Sequence, residues 1–376
     1  MTGGMIVEQT KEGRLWSLDA LRGFDMLFIT GLSALVVRVC KLCGSPECWL
    51  VKQMSHVRWD GFAHHDTIFP LFLFIAGISF PFSLAKQRDN GSSETKITLR
   101  IIRRGLVLFL LGMVYNGMLD FNFARLRIFS VLGRIGLAWM FAALIWTRVK
   151  KIWPRIAVTL LILAGYWALT RFFAAPDHPN ASPFTVEGNI CCWFDRTFFP
   201  NHIYNAKYDP EGLLSAIPAI ATALLGMFTG ALVRNRQSGL SGGKKTLFMF
   251  GAALVFGVVA VVWGRWYPIN KALWSSTFVL AAASYSLAMF ALFYWIIDVL
   301  ELRKWTLYFR VIGMNSITIY MASRFIDFER ANRFFFRGVI GLFPKTATEV
   351  VSTVGYMAVV WLFLYFLYRH KIFFKV

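Results

Sequence analysis

The sequence predicts an all-α polytopic membrane protein with about ten transmembrane helices and both termini in the cytoplasm. The chain has 376 residues, of which 57% are hydrophobic, 17% aromatic and only 16% charged, whereas about a quarter of the residues of a soluble domain are charged. Several apolar runs approach or reach the roughly 20 residues that cross a bilayer core. Lys and Arg are denser in the short segments on one side, which the positive-inside rule assigns to the cytoplasm.

The apolar runs divide the chain into spans of a single transmembrane domain, residues 1–376. Residues 1–19 are expected to form a cytoplasmic tail. They lack the apolar region of a signal peptide, so the first span is expected to be an uncleaved anchor. Residues 173–211 form a long extracytoplasmic loop, and residues 333–343 predict an interfacial segment that is too short to span. The spans are 20–39, 66–85, 101–118, 128–147, 156–172, 212–233, 246–263, 274–296, 308–323 and 348–367.

The formal net charge of +20 is concentrated on the inner face. Insertion topology and anionic lipid explain such a face, and so does attraction of an anionic cytosolic substrate. Nucleic acid is excluded as a partner, because the basic residues are scattered through short loops. The stretch SGGKKT at 241–246 is not a phosphate-binding P-loop, because Ser238 and Lys245 stand where Gly and Ser or Thr are required.

Five cysteines, at positions 40, 43, 48, 191 and 192, lie on or beside the predicted outer loops. That side permits disulfides, and one option joins the first outer loop to the Cys191–Cys192 pair. The count is odd, so the pairing stays open. We predict no metal site, because no second CxxC motif or His pair stands at ligand spacing.

Ionisable residues in spans require a partner or a function, because each costs about 2.5–3.5 kcal/mol at a helix centre. Asp19, Arg22 and Asp25 recur at i, i+3 spacing in SLDALRGFD. Either Arg22 pairs with one of the two acids and orients the first helix, or it provides a cationic binding site for a phosphate-bearing ligand. Arg134 lies about two turns inside the fourth span, where it binds a helix-end carbonyl or, in the favoured interpretation, lines a polar cavity. Arg100, Arg103 and Arg104 open the third span and either reach lipid headgroups or bind an anionic ligand.

The remaining polar candidates come from separate outer segments that a helix bundle could bring to one outward-facing cavity. His64 and His65 are adjacent, so they point in different directions and at most one is expected to face substrate. Asp66 begins a span, where a carboxylate also caps a helix. The stretches concerned are HVRWDGFAHHDTIFP, AKYDPEGLL, GRWYPINKALWSS and IGMNSITIYMAS, which carry His56, Asp60, Asp66, Asp209, Glu211, Asn270, Lys271, Trp274, Asn315 and Ser316.

Several of these motifs resemble the heparan-α-glucosaminide N-acetyltransferase family, in the order and on the spans expected. H-x-x-W-D-G followed by D-x-x-F-P is similar to the stretch that holds that family's active-site histidine, although Asp60 stands where the animal enzymes have Asn. SLDALRG resembles the first-helix motif, which the wider acyltransferase-3 group shares in looser form. The other similar segments are IFSVLGRIG, FDRTFFPNHIYNAKYDPEGLL, YPINKALW and GMNS.

The resemblance implies a bacterial member of the family, in the inner membrane, that moves acetyl from cytosolic acetyl-CoA to the amine of an extracytoplasmic amino sugar such as glucosamine or a glucosaminide. His56 would be the base or the acetyl carrier, with Asp66 as its orienting carboxylate. Homodimerisation is a further expectation from the family. The residues expected to bind the acceptor or the thioester oxygen are Asp60, Asn270, Lys271, Asn315 and Glu211, and those expected to bind CoA are Arg22, Arg100, Arg103, Arg104 and Arg134.

The alternative hypothesis is a transporter for an amino sugar, in which the same titratable loop lines a solute path without performing chemistry. A transporter built on inverted repeats with broken helices would show short, Gly- or Pro-interrupted spans in matching halves. The sequence contains no convincing pair of this kind. Acetyl transfer, by contrast, requires consumption of acetyl-CoA.

Overall fold

In a computed structural model, described for residues 15–235 and 239–374, the chain forms fifteen α-helices and one isolated β-bridge. The predicted all-α class is confirmed. Residues 1–14 of the predicted cytoplasmic tail lie outside the described residues. The helices are α1 Trp16–Leu27, α2 Ser33–Leu42, α3 Trp49–Gln53, α4 His64–Asp89, α5 Glu94–Tyr115, α6 Val131–Arg148, α7 Ile152–Phe172, α8 Ile190–Phe198, α9 Ala216–Arg234, α10 Gly242–Trp263, α11 Ser276–Tyr294, α12 Leu307–Met314, α13 Ser316–Phe325, α14 Phe328–Ile340 and α15 Lys345–Arg369.

Eight helical segments in the described part of the chain are long and apolar enough to cross a membrane. Seven of them contain one long helix each, and in Ser276–Val299 this helix, α11, continues into a π-helical turn. The eighth, Trp16–Leu42, contains both α1 and α2. A polytopic membrane protein is therefore supported. The segments are Trp16–Leu42, His64–Asp89, Val131–Arg148, Ile152–Phe172, Ala216–Arg234, Gly242–Trp263, Ser276–Val299 and Thr346–Arg369.

The other two predicted spans correspond to α5 and to the α12–α13 pair, so the count of ten stays a prediction. Helix α5 has the length of a span but carries Arg100, Arg103 and Arg104 in its first half. The ninth predicted span is not one continuous helix. It breaks at Asn315, whose backbone angles (φ −120°, ψ 22°) end α12 and begin α13.

A short π-helical turn, Phe28–Leu32, joins α1 to α2 and bends the first span. Gly31 within it has a φ of 135°, a conformation that glycine adopts without steric cost and other residues avoid. A Cβ atom at this position would also meet the side chain of Met357 on α15. The bend therefore depends on glycine, and it directs α2 toward the outer segments that precede α4.

The centre of the bundle is held by helices whose backbones touch. A Cβ atom on Gly77 of α4 or Gly226 of α9 would overlap a backbone carbonyl oxygen of the other helix. Gly23 of α1 and Gly313 of α12 form a second crossing of the same kind. Small residues permit this approach, which favours packing between membrane helices. The first of these crossings holds α4 against α9, and α4 is the helix whose first turn contains Asp66.

The predicted interfacial segment corresponds to α14, a helix of 13 residues. Phe334 is 80% exposed and Phe335 is 69% exposed. Arg330, Arg333 and Arg337 lie on the same short helix. Exposed aromatic side chains together with Arg are typical of a helix that lies in the headgroup region, and this placement stays a prediction.

Candidate active site

The candidate site is centred on His56, which follows α3, and on Asp66, in the first turn of α4. His56 Nδ1 lies 2.7 Å from Asp66 Oδ1. The His56 side chain is 47% exposed, whereas the Asp66 side chain is 1% exposed. A carboxylate only accepts hydrogen bonds, so this contact assigns the proton to Nδ1. In the neutral ring Nε2 then carries the lone pair, with Lys271 Nζ as its neighbour at 3.4 Å, and it could act as a base.

Asp66 serves two functions in this arrangement. Its Oδ2 accepts the N–H of Ala63 at 3.2 Å and the N–H of Val57 at 3.4 Å, so it caps the start of α4. Its Oδ1 orients His56. The two interpretations of Asp66 that the sequence left open, helix cap and histidine orienter, therefore both hold for the same carboxylate.

Lys271 closes the site from the loop between α10 and α11. Its Nζ lies 2.9 Å from His56 Nδ1 and 3.4 Å from both His56 Nε2 and Asp66 Oδ1. Burial lowers the pKa of Lys271, while the charge of Asp66 acts in the opposite direction. An ammonium cannot donate to Nδ1 while Nδ1 donates to Asp66, so Lys271 competes with His56 for the carboxylate. Lys271 can therefore influence which nitrogen of His56 is protonated.

The two histidines that follow occupy different environments, as their adjacency predicts. The His65 ring lies 4.4 Å from the His56 ring, measured between centroids, and its Nδ1 contacts Ser33 Oγ at 3.2 Å. His64 turns inward, where its Nε2 contacts Tyr285 Oη at 2.9 Å. His65 is thus the neighbour of the candidate base, and His64 belongs to the helix packing.

Hydrogen bonds join the loop that contains Lys271 to the loop that contains His56. Asn270 is fully buried and donates from Nδ2 to Asp60 Oδ1 at 3.1 Å. The Gly61 N–H donates to the Ile269 carbonyl at 2.9 Å. Asp60 and Asn270 therefore position the site, and neither touches His56 or Lys271 in the contacts described.

Glu211 belongs to a neighbouring cluster on the long outer loop, and its main partner was not among the predicted residues. Arg127 Nε and Nη2 donate to Asp209 at 2.8 and 2.6 Å, and Nη2 also donates to Glu211. Burial by itself lowers the pKa of Arg127. The hydrogen bonds and negative charges of Asp209 and Glu211 outweigh this effect and raise the pKa above its usual value. The R-I that precedes FSVLGR in the sequence is the signal by which Arg127 could have been found.

Asp195 on α8 adjoins that cluster through Asp209. Among the described residues it forms no ion pair with Lys or Arg. It accepts the Asp209 N–H at 3.4 Å, and its Oδ1 is buried with no hydrogen-bond partner in the described structure. Burial raises the pKa of Asp195 to about 7. The protonated carboxyl is therefore favoured in the folded protein, and its ionisation destabilises the fold.

We expect Asp195→Asn to remove a pH dependence of stability. A raised folded-state pKa contributes stability that is present below the unfolded value, 3.8, and is lost as pH rises through about 7. The variant, neutral at every pH, should match the parent near pH 3, and its stability advantage over the parent should grow by ~2–3 kcal/mol between pH 5 and pH 8. Thermal unfolding in detergent at these pH values measures this difference. A Tm difference between variant and parent that does not change with pH would contradict it.

Two adjoining cavities lie between the helices near this site, and both are lined in part by arginines. The first has a volume of about 290 Å³ and is lined by Phe69 and Phe72 of α4, by apolar residues of α6 and by Arg22 and Arg104. The second, of about 380 Å³, contains Arg100, Arg103 and Arg104. Arg104 and Trp139 line both. Lys271 Nζ lies 5.4 Å from the centre of the Phe69 ring, so one aromatic side chain lies between the first cavity and the His56 site.

The structure thus places four of the five predicted CoA-binding arginines at these cavities. Arg104 Nε is buried with no hydrogen-bond partner among the described residues, and its guanidinium stacks on Trp139 at 4.5 Å. Arg22 lies 3.8 Å from Asp19, as the ion-pair interpretation predicts. Arg100 is exposed and donates to Gln87 at 2.9 Å. A phosphate-bearing ligand would find donors at this end and apolar walls beyond them.

Arg134 and Asn315 lie apart from these surfaces. Arg134 is buried, donates to Ser215 and lies 4.8 Å from the centre of the Trp274 ring. It lines neither of the two cavities described, so its contacts favour a structural role. Asn315 is 1% exposed, and neither its side-chain nitrogen nor its oxygen has a partner in the described structure. The contacts described around His56 do not include Asn315.

The chemistry available at the site is proton transfer beside a cavity that can hold an anionic, partly apolar ligand. Within residues 15–235 and 239–374, no group of three or more His, Cys, Asp and Glu side chains is arranged to hold a metal ion. A buried carboxylate, a histidine whose Nε2 carries the lone pair and a nearby ammonium are suited to acid–base or nucleophilic catalysis.

Comparisons with known proteins point to the same chemistry. Residues 14–259 match the family model described as "Heparan-alpha-glucosaminide N-acetyltransferase, catalytic". The chain is 26% identical to the mouse heparan-alpha-glucosaminide N-acetyltransferase over 423 aligned positions, covering 98% of this chain and 61% of the relative. It is also 26% identical to the human protein of that name, and the alignment covers 96% of this chain and 60% of the human protein. The chain therefore spans about three fifths of the length of these relatives.

Proposed function

Because the chain belongs to the heparan-alpha-glucosaminide N-acetyltransferase catalytic family, we propose that it is a transmembrane acetyltransferase that uses acetyl-CoA. The acceptor is the amine of an amino sugar, glucosamine or a glucosaminide, on the extracytoplasmic side. The observation that carries this proposal is the His56–Asp66 pair beside a cavity that Phe69 of the same helix α4 lines together with Arg22 and Arg104. The proposed membrane is the bacterial inner membrane, and homodimerisation remains a prediction.

His56 acts on the proton of the amine in this proposal. The amine nitrogen attacks the carbonyl carbon of the thioester, the new N–C bond forms and the C–S bond breaks. His56 Nε2 takes the proton from the nitrogen and returns it to the departing sulfur. Asp66 keeps the proton on Nδ1 and stabilises the imidazolium that forms. A base so placed contributes about 10²–10⁴-fold to such a reaction.

Lys271 is suited to stabilise the negative charge that develops on the thioester oxygen. Its Nζ lies beside both ring nitrogens of His56, and an oriented donor is most effective where charge develops during the reaction. Asp60, Asn270 and Glu211 are better placed to hold the loops around the acceptor than to touch the reacting atoms. The acetyl group itself is supplied by CoA from the cytosolic side.

Different parts of acetyl-CoA are assigned to the arginines and to the apolar cavity walls. We assign the phosphates of CoA to Arg100, Arg103 and Arg104, because guanidinium groups bind phosphate in bidentate geometry. The apolar stretch of the first cavity suits the pantetheine arm, which must extend from Arg104 toward Phe69. Rotation of the Phe69 side chain would then admit the thioester to His56.

Radiolabelled acetyl-CoA tests the function directly. The purified protein is incubated with the labelled donor, with and without glucosamine or a terminal glucosaminide, and the label is followed in sugar, protein and solvent. Label in the sugar supports the proposal, and label on the protein in the absence of sugar favours an acetyl-enzyme. If a panel of amino sugars releases no CoA while a labelled sugar crosses vesicles containing the protein, transport replaces acetylation.

The segment after α15 provides a prediction about donor binding. Phe374 is 52% exposed and lines the first cavity together with Arg22. We expect Phe374→Ala to raise the KM for acetyl-CoA about 3- to 10-fold with little change in kcat, because it removes an apolar wall from the donor site. Steady-state kinetics at saturating acceptor measure both constants.

Ile372 provides the matched control for Phe374. It is also 52% exposed, but it is not part of the described cavity lining. Ile372→Ala should leave both constants unchanged. Equal effects of the two substitutions, or an effect of Phe374→Ala on kcat alone, would show that Phe374 does not contact the donor.

A further inference from the structure

Cys40 lies in the last turn of α2, and Cys43 and Cys48 lie in the turn between α2 and α3, in the segment that leads to His56. The structure contains no disulfide at any of the five positions, all of which are described. Cys191 and Cys192 are buried in α8, and burial raises the pKa of Cys191 to about 12. The bridge to the first outer loop that the sequence left open is therefore not present, and the two sets of thiols have different environments.

The backbone of the α2–α3 turn folds back on itself and brings two of these thiols together. The Ser45 N–H donates to the Cys40 carbonyl at 2.9 Å, and the Cys48 N–H donates to the Ser45 carbonyl at 3.4 Å. The thiols of Cys40 and Cys48 are near enough to each other to affect one another's pKa. Cys43 points outward and is exposed.

The thiol of Cys48 has the character of a nucleophile. The N–H of Val51 lowers its pKa, against the opposing effect of burial, and the contact with Cys40 and the N–H of Leu50 act in the same direction as Val51. Both Cys40 and Cys48 are partly exposed. A thiolate attacks disulfides, and accessible thiols with lowered pKa values oxidise first.

We propose that Cys40 and Cys48 form a disulfide site whose oxidation state sets the rigidity of the segment leading to His56. The oxidant is a disulfide-bearing protein or small molecule of the extracytoplasmic side. Cys48 attacks one sulfur of this disulfide and releases the first thiolate. Cys40 then attacks the Cys48 sulfur and releases the second. Two protons leave the cysteines, and the two electrons reduce the oxidant to two thiols.

The position of the bridge connects it to the candidate base. It joins the last turn of α2 to the residue before α3, and α3 ends at Gln53. Gln53 Oε1 accepts the His64 N–H at 2.9 Å, and His56 lies three residues beyond Gln53. A closed loop of residues 40–48 restricts the unfolded chain and limits the freedom of α3. The inference does not depend on the reaction that His56 performs.

Peptide mapping of the intact purified protein tests the pairing. The protein is treated with oxidised glutathione, its remaining thiols are alkylated, and it is digested. Cleavage after Lys41 separates Cys40 from the peptide that holds Cys43 and Cys48, and cleavage after Glu47 then separates Cys43 from Cys48. The expected result is a reducible link between the Cys40 and Cys48 peptides, with Cys43 alkylated.

Single serine variants provide the controls. Cys43→Ser should retain the link, and Cys40→Ser and Cys48→Ser should lose it. Oxidation should raise the Tm of the parent and of Cys43→Ser by a few degrees, reversibly on reduction, and should leave the other two unchanged. Alkylation of both Cys40 and Cys48 after oxidation, or a link through Cys43, Cys191 or Cys192, would overturn the proposal.

Discussion

Replacing His56 by alanine is expected to lower kcat/KM for acetyl transfer by about 10³-fold. The substitution removes the Nε2 lone pair that the proposal assigns to the amine proton, and a general base contributes about 10²–10⁴-fold. The half-exposed side chain makes few packing contacts, so the fold should persist. Initial rates with acetyl-CoA and glucosamine, compared with thermal unfolding of the same preparations, separate loss of chemistry from loss of structure.

His65 is the control for this substitution. Its ring lies 4.4 Å from that of His56, and it is also close to the carboxylate, but no contact directs it toward Asp66. His65→Ala should retain activity within about tenfold of the parent. If His65→Ala is as inactive as His56→Ala, or if His56→Ala remains active, the base has been assigned to the wrong residue.

Replacing Asp66 by asparagine is expected to lower kcat by about 10²-fold or more. Asparagine presents an N–H₂ as well as an oxygen, so it can hold His56 in the tautomer whose Nε2 is protonated and cannot accept the amine proton. The lost charge also removes the stabilisation of the imidazolium. Lowered kcat with an unchanged KM for acetyl-CoA is the expected pattern, because the substitution leaves the donor cavity intact.

The cap formed by Asp66 makes a stability measurement necessary beside the rate. Loss of an N-terminal cap costs about 1 kcal/mol, so some decrease in Tm accompanies the substitution. Asp66→Glu keeps a carboxylate and should recover part of kcat even if it caps α4 poorly. An Asp66→Asn variant that loses Tm but keeps kcat would show that Asp66 acts only on the helix.

The sequence predicts the class of the fold well, for a physical reason, and the resemblance points to the residues of the candidate site. Apolar runs of about 20 residues identify spans because lipid admits few other structures. His56 and Asp66 are singled out by the resemblance of H-x-x-W-D-G and D-x-x-F-P to the family motif, and the structure brings their side chains within 2.7 Å. The break at Asn315 could not be foreseen, since a single polar residue inside an apolar run does not reveal whether the helix continues.

The parts of the site that sequence reasoning missed depend on contacts between distant segments. Arg127 pairs with Asp209 across 82 positions of the chain, and although a local motif marks Arg127, it does not reveal this partner. The position of Arg134 inside a span favoured the prediction that it lines a polar cavity. In the structure its guanidinium donates to Ser215 and lies over the face of Trp274. Which side of a helix faces a cavity is decided by the packing of its neighbours, and periodicity leaves that choice open.

The glycine crossings described above have a mechanical consequence. Where α1 meets α12 and α4 meets α9, backbone lies against backbone, and a side chain at Gly23, Gly313, Gly77 or Gly226 would force the helices apart. Helices α1, α4 and α12 all contribute to the wall of the first cavity. We therefore expect this wall to behave as a rigid body, unlike the rocking halves of alternating-access carriers. Passage of a group across the bilayer would then rely on side-chain rotation within a stationary frame.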